Sequence, residues 1–367
     1  MPEAVIVSAA RSPIGRANKG SLKDLRPDDL TATIIQAALA KIPELDPATI
    51  DDHYLGCGLP GGESGNNMAR IVNVLMGYDE LPGATITRYC SSSVQTTRMA
   101  FHAIKAGEGH AFISAGVETV SRFAKGTSDH WPDTQNHRYD QAQARTQEQA
   151  KGGTLWHDPR QDEEIPDVYI AMGQTAENVA TLRGLDRKEL DEFGVRSQNL
   201  AEKAIADGFW EREITPITTP DGTVVTKDDG PRAGVTYEAI SQLQPVFRPD
   251  GVVTAGNCCA LNDGAAAVII MSDTRAAELG LTPLARIVST GVSGLSPEIM
   301  GLGPVEATKR ALAHAGMSIS DIDLVEINEA FAAQVVPSYQ DLGIDLDRLN
   351  INGGAIARSE ERRVGKE

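Results

Sequence analysis

Thr87-Arg88-Tyr89-Cys90-Ser91-Ser92-Ser93-Val94-Gln95 joins a short β-type run to a helical one and sets a cysteine at the junction. A thiol placed there meets the unsatisfied N–H groups and the positive dipole end of the helix, which favour thiolate. Thiolate is what a cysteine nucleophile requires. The competing reading is a small buried hydrophobe, the usual fate of a free cysteine. Three serines after Cys90 are poor core formers but good partners for orphan N–H groups at a helix start.

Working outward, residues 5–9 read as a buried strand, 30–40 as an amphipathic helix and 52–58 as a second strand. Helix, strand, helix and strand follow at 67–76, 84–89, 91–106 and 111–116. Strands alternating with helices of this length predict an α/β fold with a largely parallel sheet covered on both faces. From 122 to 250 the texture changes: His, Trp, Gln and Asp crowd the early part, helices are expected at 173–183 and 187–206, and Asp221-Gly222 separates two β-type pieces. This reads as an inserted loop or lid domain.

The chain then returns to the first half at 251–272, with a strand at 265–271, and a C-terminal α/β half runs from 273 to 357, with strands at 284–290 and 324–327 and helices at 305–315 and from Glu329. Ala37-Ala38-Leu39-Ala40 followed by Ile50-Asp51-Asp52 is echoed by Arg310-Ala311-Leu312-Ala313 followed by Ile322-Asp323. Both are helix, loop, strand. Residues 1–121 and 273–357 are accordingly read as duplicated βα halves, against the alternative of chance likeness between Ala-rich helices.

With 367 residues the chain exceeds one ordinary core. Its 34 Lys and Arg against 51 Asp and Glu give a formal charge of -17, which disfavours phosphate backbones and anionic membrane surfaces as partners. Cys57, Cys90, Cys258 and Cys259 fit neither a disulfide framework nor a paired C-x-x-C zinc site, so reduced thiols and no metal are expected. The N-terminus enters a strand at once, and no later run reaches about 18 apolar residues. A soluble, cytoplasmic, untargeted protein is expected.

Further ordered motifs flank the Cys90 stretch. They are Ser8-Ala9-Ala10-Arg11-Ser12-Pro13-Ile14-Gly15, Ser114-Ala115-Gly116-Val117-Glu118, Met172-Gly173-Gln174-Thr175-Ala176-Glu177, Thr254-Ala255-Gly256-Asn257 and Asn262-Asp263-Gly264-Ala265. Gly303-Pro304-Val305, Asn328-Glu329-Ala330-Phe331-Ala332 and Asn352-Gly353-Gly354-Ala355-Ile356-Ala357 follow. Together, and in this order, they make the chain resemble the thiolases, the acetyl-CoA acyltransferase family of the condensing-enzyme superfamily, from Met1 to about Ala357.

The resemblance implies duplicated βαβ halves in a layered αβαβα arrangement with an inserted loop domain, at least a homodimer or homotetramer, and CoA as substrate with no resident cofactor. It implies that Cys90 accepts the acyl group as a thioester, that Asn328 holds a water of one oxyanion hole, and that the Cys90 N–H serves another. Asn328-Glu329 would equally be a helix start after a strand, and both readings can hold. Positions similar to the family's pantetheine tunnel are Met172, Leu243, Phe247, Ala255, Cys259, Leu261, Leu302 and Phe331, which would equally be read as core. Ala171 stands where biosynthetic thiolases carry histidine, tilting the reading towards a degradative 3-ketoacyl-CoA thiolase of fatty acid or sterol side-chain β-oxidation. Cys259 stands where serine is usual, and puts one CoA hydrogen bond in doubt.

After Ala357 the family would continue into a Gly-His-Pro turn, whose histidine activates the cysteine, and later a Cys-x-Gly acid/base. Here Arg358-Ser359-Glu360-Glu361-Arg362-Arg363-Val364-Gly365-Lys366-Glu367 follows, no histidine comes after His314 and no cysteine after Cys259. General acid–base help typically contributes about 10²–10⁴-fold, so the chain as written is expected to be essentially inactive. The 358–367 tail is read as foreign sequence on a truncated thiolase, with a non-catalytic acyl-CoA-binding paralogue as the alternative. A ketoacyl synthase of the same superfamily is disfavoured, since Asn328 stands where that enzyme needs histidine.

Overall fold

The computed structural model describes residues 2–125, 134–153 and 155–358, so the charged tail lies from residue 359 onward outside the described residues. The chain divides into two compact units. The first comprises Met1–Trp131, Phe209–Asp229 and Asn262–Val288, and the second Pro132–Gly208, Gly230–Leu261 and Ser289–Glu367.

The first unit is built on strands β1 (Ala4–Arg11), β2 (Asp52–Gly56), β3 (Gly83–Ile86), β4 (Ala111–Thr119), β5 (Asn262–Ser272) and β6 (Ala285–Arg286). Among the described residues they form a seven-stranded sheet in the order β3-β2-β4-β5-β1-β6, with a two-residue strand, Gly15–Arg16, paired to β5. β2 runs parallel to β3 and β4, while β5 is antiparallel to β4 and β1. The expected largely parallel sheet is therefore corrected to a mixed one. Parallel neighbours need a crossover, and one helix joins β2 to β3 and another joins β3 to β4. β5 returns from a long excursion and is free to enter the sheet in the opposite sense.

Three helices cover this sheet: α1 (Pro27–Leu39), α2 (Met68–Leu75) and α3 (Ser92–Ala106). Pro27 at the first helical position and Asp28 and Asp29 in the first turn suit the start of α1. Gly107, at φ +76°, ends α3 in the left-handed conformation that favours glycine. Period-two alternation sorts the sheet's side chains between two cores. Leu55, Ile113 and Ile269 join Ile34, Ile35 and Val72 on the α1/α2 side. Tyr54, Phe112 and Ile270 pack with Ala100, Ala103 and Ile104 of α3. β4 is buried along both faces, and its first seven residues are apolar or small.

The second unit gathers α4 (Met172–Arg183), α5 (Arg187–Ala206), α6 (Gly303–Ala315), α7 (Ala332–Leu342) and α8 (Ala355–Arg358). Ala176, Ala180, Leu190, Phe193, Val305, Val335, Val336 and Ile356 make its core. The internal echo has a structural counterpart. In the first unit the order is α1, a 3₁₀ turn at Pro47–Thr49, β2, α2, β3 and α3; in the second it is α6, a 3₁₀ turn at Ile319–Asp321, a parallel bridge from Val325 to Leu349 with α7 between, and then α8. The strands expected at 284–290 and 324–327 shrink to β6 and to that single bridge. A strand exists only as part of a ladder, and among the described residues these segments have no further ladder partner; Leu324 and Val288 stay 61% and 52% exposed.

Among the described residues no helix is long and apolar enough to cross a membrane, and no cluster of His, Cys, Asp and Glu could hold a metal ion.

Candidate active site

Cys90 lies on the 3₁₀ turn Tyr89–Ser91 that connects β3 to α3. Tyr89 takes φ +45°, a left-handed conformation that costs a non-glycine residue about 1–3 kcal/mol. Three serine and threonine hydroxyls hold the turn. Ser92 Oγ donates to Tyr89 O at 2.7 Å and accepts from Arg88 N at 2.8 Å, Ser91 Oγ donates to Arg88 O at 2.9 Å, and Thr87 Oγ1 donates to Gly58 O at 2.9 Å. The expected capping of helix N–H groups by the serines is not what forms: Ser91 and Ser92 tie the turn back onto its own backbone, and Cys90 is exposed rather than part of the core.

Beneath the turn, Gly56 of β2 and Gly116 of β4 are paired across the parallel ladder. A Cβ on Gly56 would lie 2.9 Å from Ser92 C and Ser93 N, and one on Gly116 would lie 1.9 Å from Ser93 Oγ. Two glycines in register therefore form the floor that seats the first turn of α3. Glu118, two residues along β4, accepts from Gly58 N at 2.7 Å and lies 3.8 Å from the Cys57 thiol, through Oε2 and Oε1 respectively.

At Cys90 the preference of a helix start for thiolate meets opposing influences. Desolvation pushes its thiol up, and the charge of Glu118 adds in the same direction, while the residue's own backbone N–H acts the other way. Burial likewise raises the Glu118 carboxyl, and pushes the Cys57 thiol up to about 12. Sequence reasoning quoted Glu118 within a motif but gave it no place in the site. The signal was there in Gly116-Val117-Glu118, since strand alternation puts Glu118 on the face that Gly116 opens to the Cys90 turn.

Asn328 belongs to the second unit and is exposed beside Glu329, which is fully buried. Its backbone is fixed from both sides. Ile327 and Asn350 exchange two hydrogen bonds of 2.9 and 2.8 Å, and Glu329 accepts from Ser197 Oγ, Asn350 Nδ2 and Ile356 N at 2.5, 2.8 and 3.2 Å. The glycine pair of the Asn352–Ala357 motif is needed here: Gly353 takes φ +73°, and a Cβ on Gly354 would strike the Glu329 carboxylate at 2.2 Å. The helix expected from Glu329 begins at Ala332 with Phe331 as its N-cap residue, so Asn328 lies before the helix rather than at its cap.

All eight candidate pantetheine positions fall in the second unit, and none is fully buried. Met172 opens α4 and is 45% exposed, and Leu261 is 49% exposed. Phe247 and Phe331 meet edge to face with centroids 6.0 Å apart. Phe247 also covers Gly173, where a Cβ would lie 2.0 Å from its ring, and its carbonyl accepts from Gln174 Nε2 at 2.8 Å. Leu243 packs against Gly256, beside Ala255, and Cys259 N donates to Ala330 O at 2.9 Å next to Phe331. Leu302 lies at the end of the 3₁₀ segment Pro297–Leu302. Ala171 precedes α4 as its N-cap residue.

The remaining motifs are scaffolding. Ser12 exchanges hydrogen bonds with Ala265, and Arg11 is held by Asp228 and Glu213. Glu177 accepts from the N–H groups of Val252 and Val253 at 3.0 and 2.9 Å.

Residues 4–274 match the family model for the thiolase N-terminal domain, and 281–359 that for the thiolase C-terminal domain. Over 97% of its length the chain is 40% identical to a 3-ketoacyl-CoA thiolase of Bacillus subtilis, covering 88% of that protein. It is equally identical, with the same coverages, to a 3-oxoadipyl-CoA/3-oxo-5,6-dehydrosuberyl-CoA thiolase of Escherichia coli. Among solved structures, it superposes on the dimeric peroxisomal thiolase of Saccharomyces cerevisiae with a TM-score of 0.87 at 33% identity, over 98% of this chain and 87% of that one. The Bacillus anthracis acetyl-CoA acetyltransferase gives 0.82 at 36% identity, over 98% and 88%. The fold is that of these solved structures.

Proposed function

The chain belongs to the thiolase family, and from that premise we propose that Cys90 carries an acyl group between 3-ketoacyl-CoA and CoA in a ping-pong transfer. The Cys90 thiol gives up its proton as the sulfur attacks the thioester or keto carbonyl, the tetrahedral oxyanion collapses to the acyl-Cys90 thioester, and the leaving CoA thiolate or acetyl-CoA enolate takes up a proton in return. Donors aimed at charge that develops only in the transition state accelerate such a step. The Cys90 N–H and a water on Asn328 are the groups assigned to that role.

One observation carries the reading: an exposed cysteine on a left-handed turn, seated by a glycine pair at the C-terminal end of parallel strands, where α/β sheets place ligands. The half-exposed row Met172, Leu243, Phe247, Ala255, Cys259, Leu261, Leu302 and Phe331 is assigned to the pantetheine arm. Ala171 and the names of the bacterial relatives favour thiolysis of 3-ketoacyl-CoA over condensation of acetyl-CoA.

The test is the acyl half-reaction. In a full-length version that carries the family's Gly-His-Pro and Cys-x-Gly segments, incubation with acetyl-CoA or a 3-ketoacyl-CoA should add one acyl group to the Cys90 peptide, read by mass spectrometry, and Cys90→Ala should abolish it. An adduct absent from Cys90, or one persisting in C90A, refutes the assignment.

A further inference from the structure

Resting on the reading of Met172, Phe247 and Leu302 as members of the pantetheine row, we propose that Asn178 is the positioning residue of that row. Its one buried amide joins the three segments that carry them, and so holds the row in place for the CoA arm.

Met172 opens α4, Phe247 lies within residues 243–254, which form no helix or strand, and Leu302 ends a 3₁₀ segment kinked at Ile299. Backbone outside a regular helix or ladder must be fixed by other hydrogen bonds. α4 supplies them from Gln174 and Asn178, which stand four residues apart and so share one face. Gln174 Nε2 donates to Phe247 O at 2.8 Å, and Gln174 Oε1 accepts from Arg248 Nε at 2.9 Å. Asn178 Oδ1 accepts from Arg248 Nη2, and Asn178 Nδ2 donates to Glu298 O at 2.9 Å. Asn178 is fully buried and Arg248 is 6% exposed. The amide thus works in two directions: its oxygen holds the loop of Phe247, and its nitrogen holds the segment of Leu302.

That segment is pinned on its other side as well. The Glu298 carboxylate accepts from Trp156 Nε1 and Asp167 N, each at 2.7 Å, and from Arg145 Nη2 at 3.0 Å. Gly301, between Glu298 and Leu302, lies where a Cβ would meet Gln334 Cγ at 2.9 Å and Val179 Cγ2 at 3.7 Å, beside Asn178. All these residues belong to the second unit. An amide is the group that serves at 178. A carboxylate has no donor for Glu298 O, and an aliphatic side chain leaves both that carbonyl and the Arg248 fork without their partner.

CoA binding to the full chain, titrated calorimetrically at a temperature where each variant is folded, tests the joint without requiring turnover. Asn178→Ala should weaken CoA roughly tenfold, as for a row in place only about a tenth of the time. Asn178→Asp keeps the size and the acceptor for Arg248 but loses the donor to Glu298 O, while Arg248→Met frees the Phe247 loop; each should weaken CoA roughly threefold or more. Because Arg248 and Asn178 act through one joint, the N178A/R248M double variant should bind within about twofold of N178A. A merely structural amide would lower the melting temperature and leave the CoA affinity of the folded protein unchanged. That result, or losses that multiply in the double variant, overturns the proposal. If N178A does not fold, N178D and R248M decide it, and unchanged affinity in both overturns it. Phe247→Ala and Leu302→Ala separate the underlying reading. Unchanged affinity in both, or no CoA binding by the unmodified chain, removes the pantetheine row and this proposal with it; losses there with N178A unchanged remove the role of Asn178 alone.

Discussion

Gly56→Ala tests how the nucleophile's turn is seated. The new methyl would meet Ser92 C and Ser93 N at 2.9 Å, and both are backbone atoms that no side-chain rotation can clear. Ordinary contact begins near 3.4 Å, so the first turn of α3 must move by about 0.5 Å. Overpacking of this kind costs about 1–3 kcal/mol, or about 2–4 °C of melting temperature per kcal/mol in a body of this size. Cys90 lies two residues from the displaced atoms. Since a 1 Å misplacement can cost about 10²-fold, half of that should slow acylation of Cys90 by roughly tenfold.

Gly116→Ala is the matched control. Its methyl meets the Ser93 hydroxyl, which is exposed and can turn away, leaving a 3.2 Å contact to Ser93 Cβ. It should cost about 1 kcal/mol, and Ser93→Ala should relieve most of that while leaving G56A unrelieved. Melting curves and single-turnover acylation separate the two. If G56A matches G116A in both, the glycine floor is not what positions Cys90.

Two further outcomes follow from buried groups. His53 is fully buried in β2, with Nδ1 on Asn73 Oδ1 at 2.7 Å, and burial holds its imidazole down to about 4 from 6.5. The unfolded chain therefore binds the extra proton first: stability is complete above pH 6.5 and falls as pH drops to 4, by roughly 3 kcal/mol in total. Urea unfolding of the native chain and of His53→Asn across that window should diverge by this amount, and parallel curves would remove His53 as the cause. Glu329→Ala would leave the Ser197 hydroxyl, the Asn350 amide and the Ile356 N–H facing an unoccupied buried site, at about 3 kcal/mol or more. Denaturant midpoints read the loss, and a Glu329→Ala protein as stable as the parent would show that this carboxylate does not organise the Asn328 loop.

The sequence by itself determined the alternation of strands and helices, the cysteine at a strand-to-helix junction, and the internal echo of helix, turn and strand. Each is written in neighbouring residues, through periodicity, caps and glycines. Cys90 drew notice because a cysteine followed by three serines is unusual chemistry in a short window, and Asn328 because ordered motifs surround it. Tertiary structure alone decided that β5 enters antiparallel, because strand direction depends on where a long excursion returns rather than on the strand's own residues. It also decided that Gly56 and Gly116 stand in register under α3, although 60 positions separate them in the chain. Glu118, on a strand that follows α3, reaches back to the Gly58 N–H beside the nucleophile's turn. Ladders, buried carboxylates and desolvation all come from contacts between distant segments, and no local pattern encodes them.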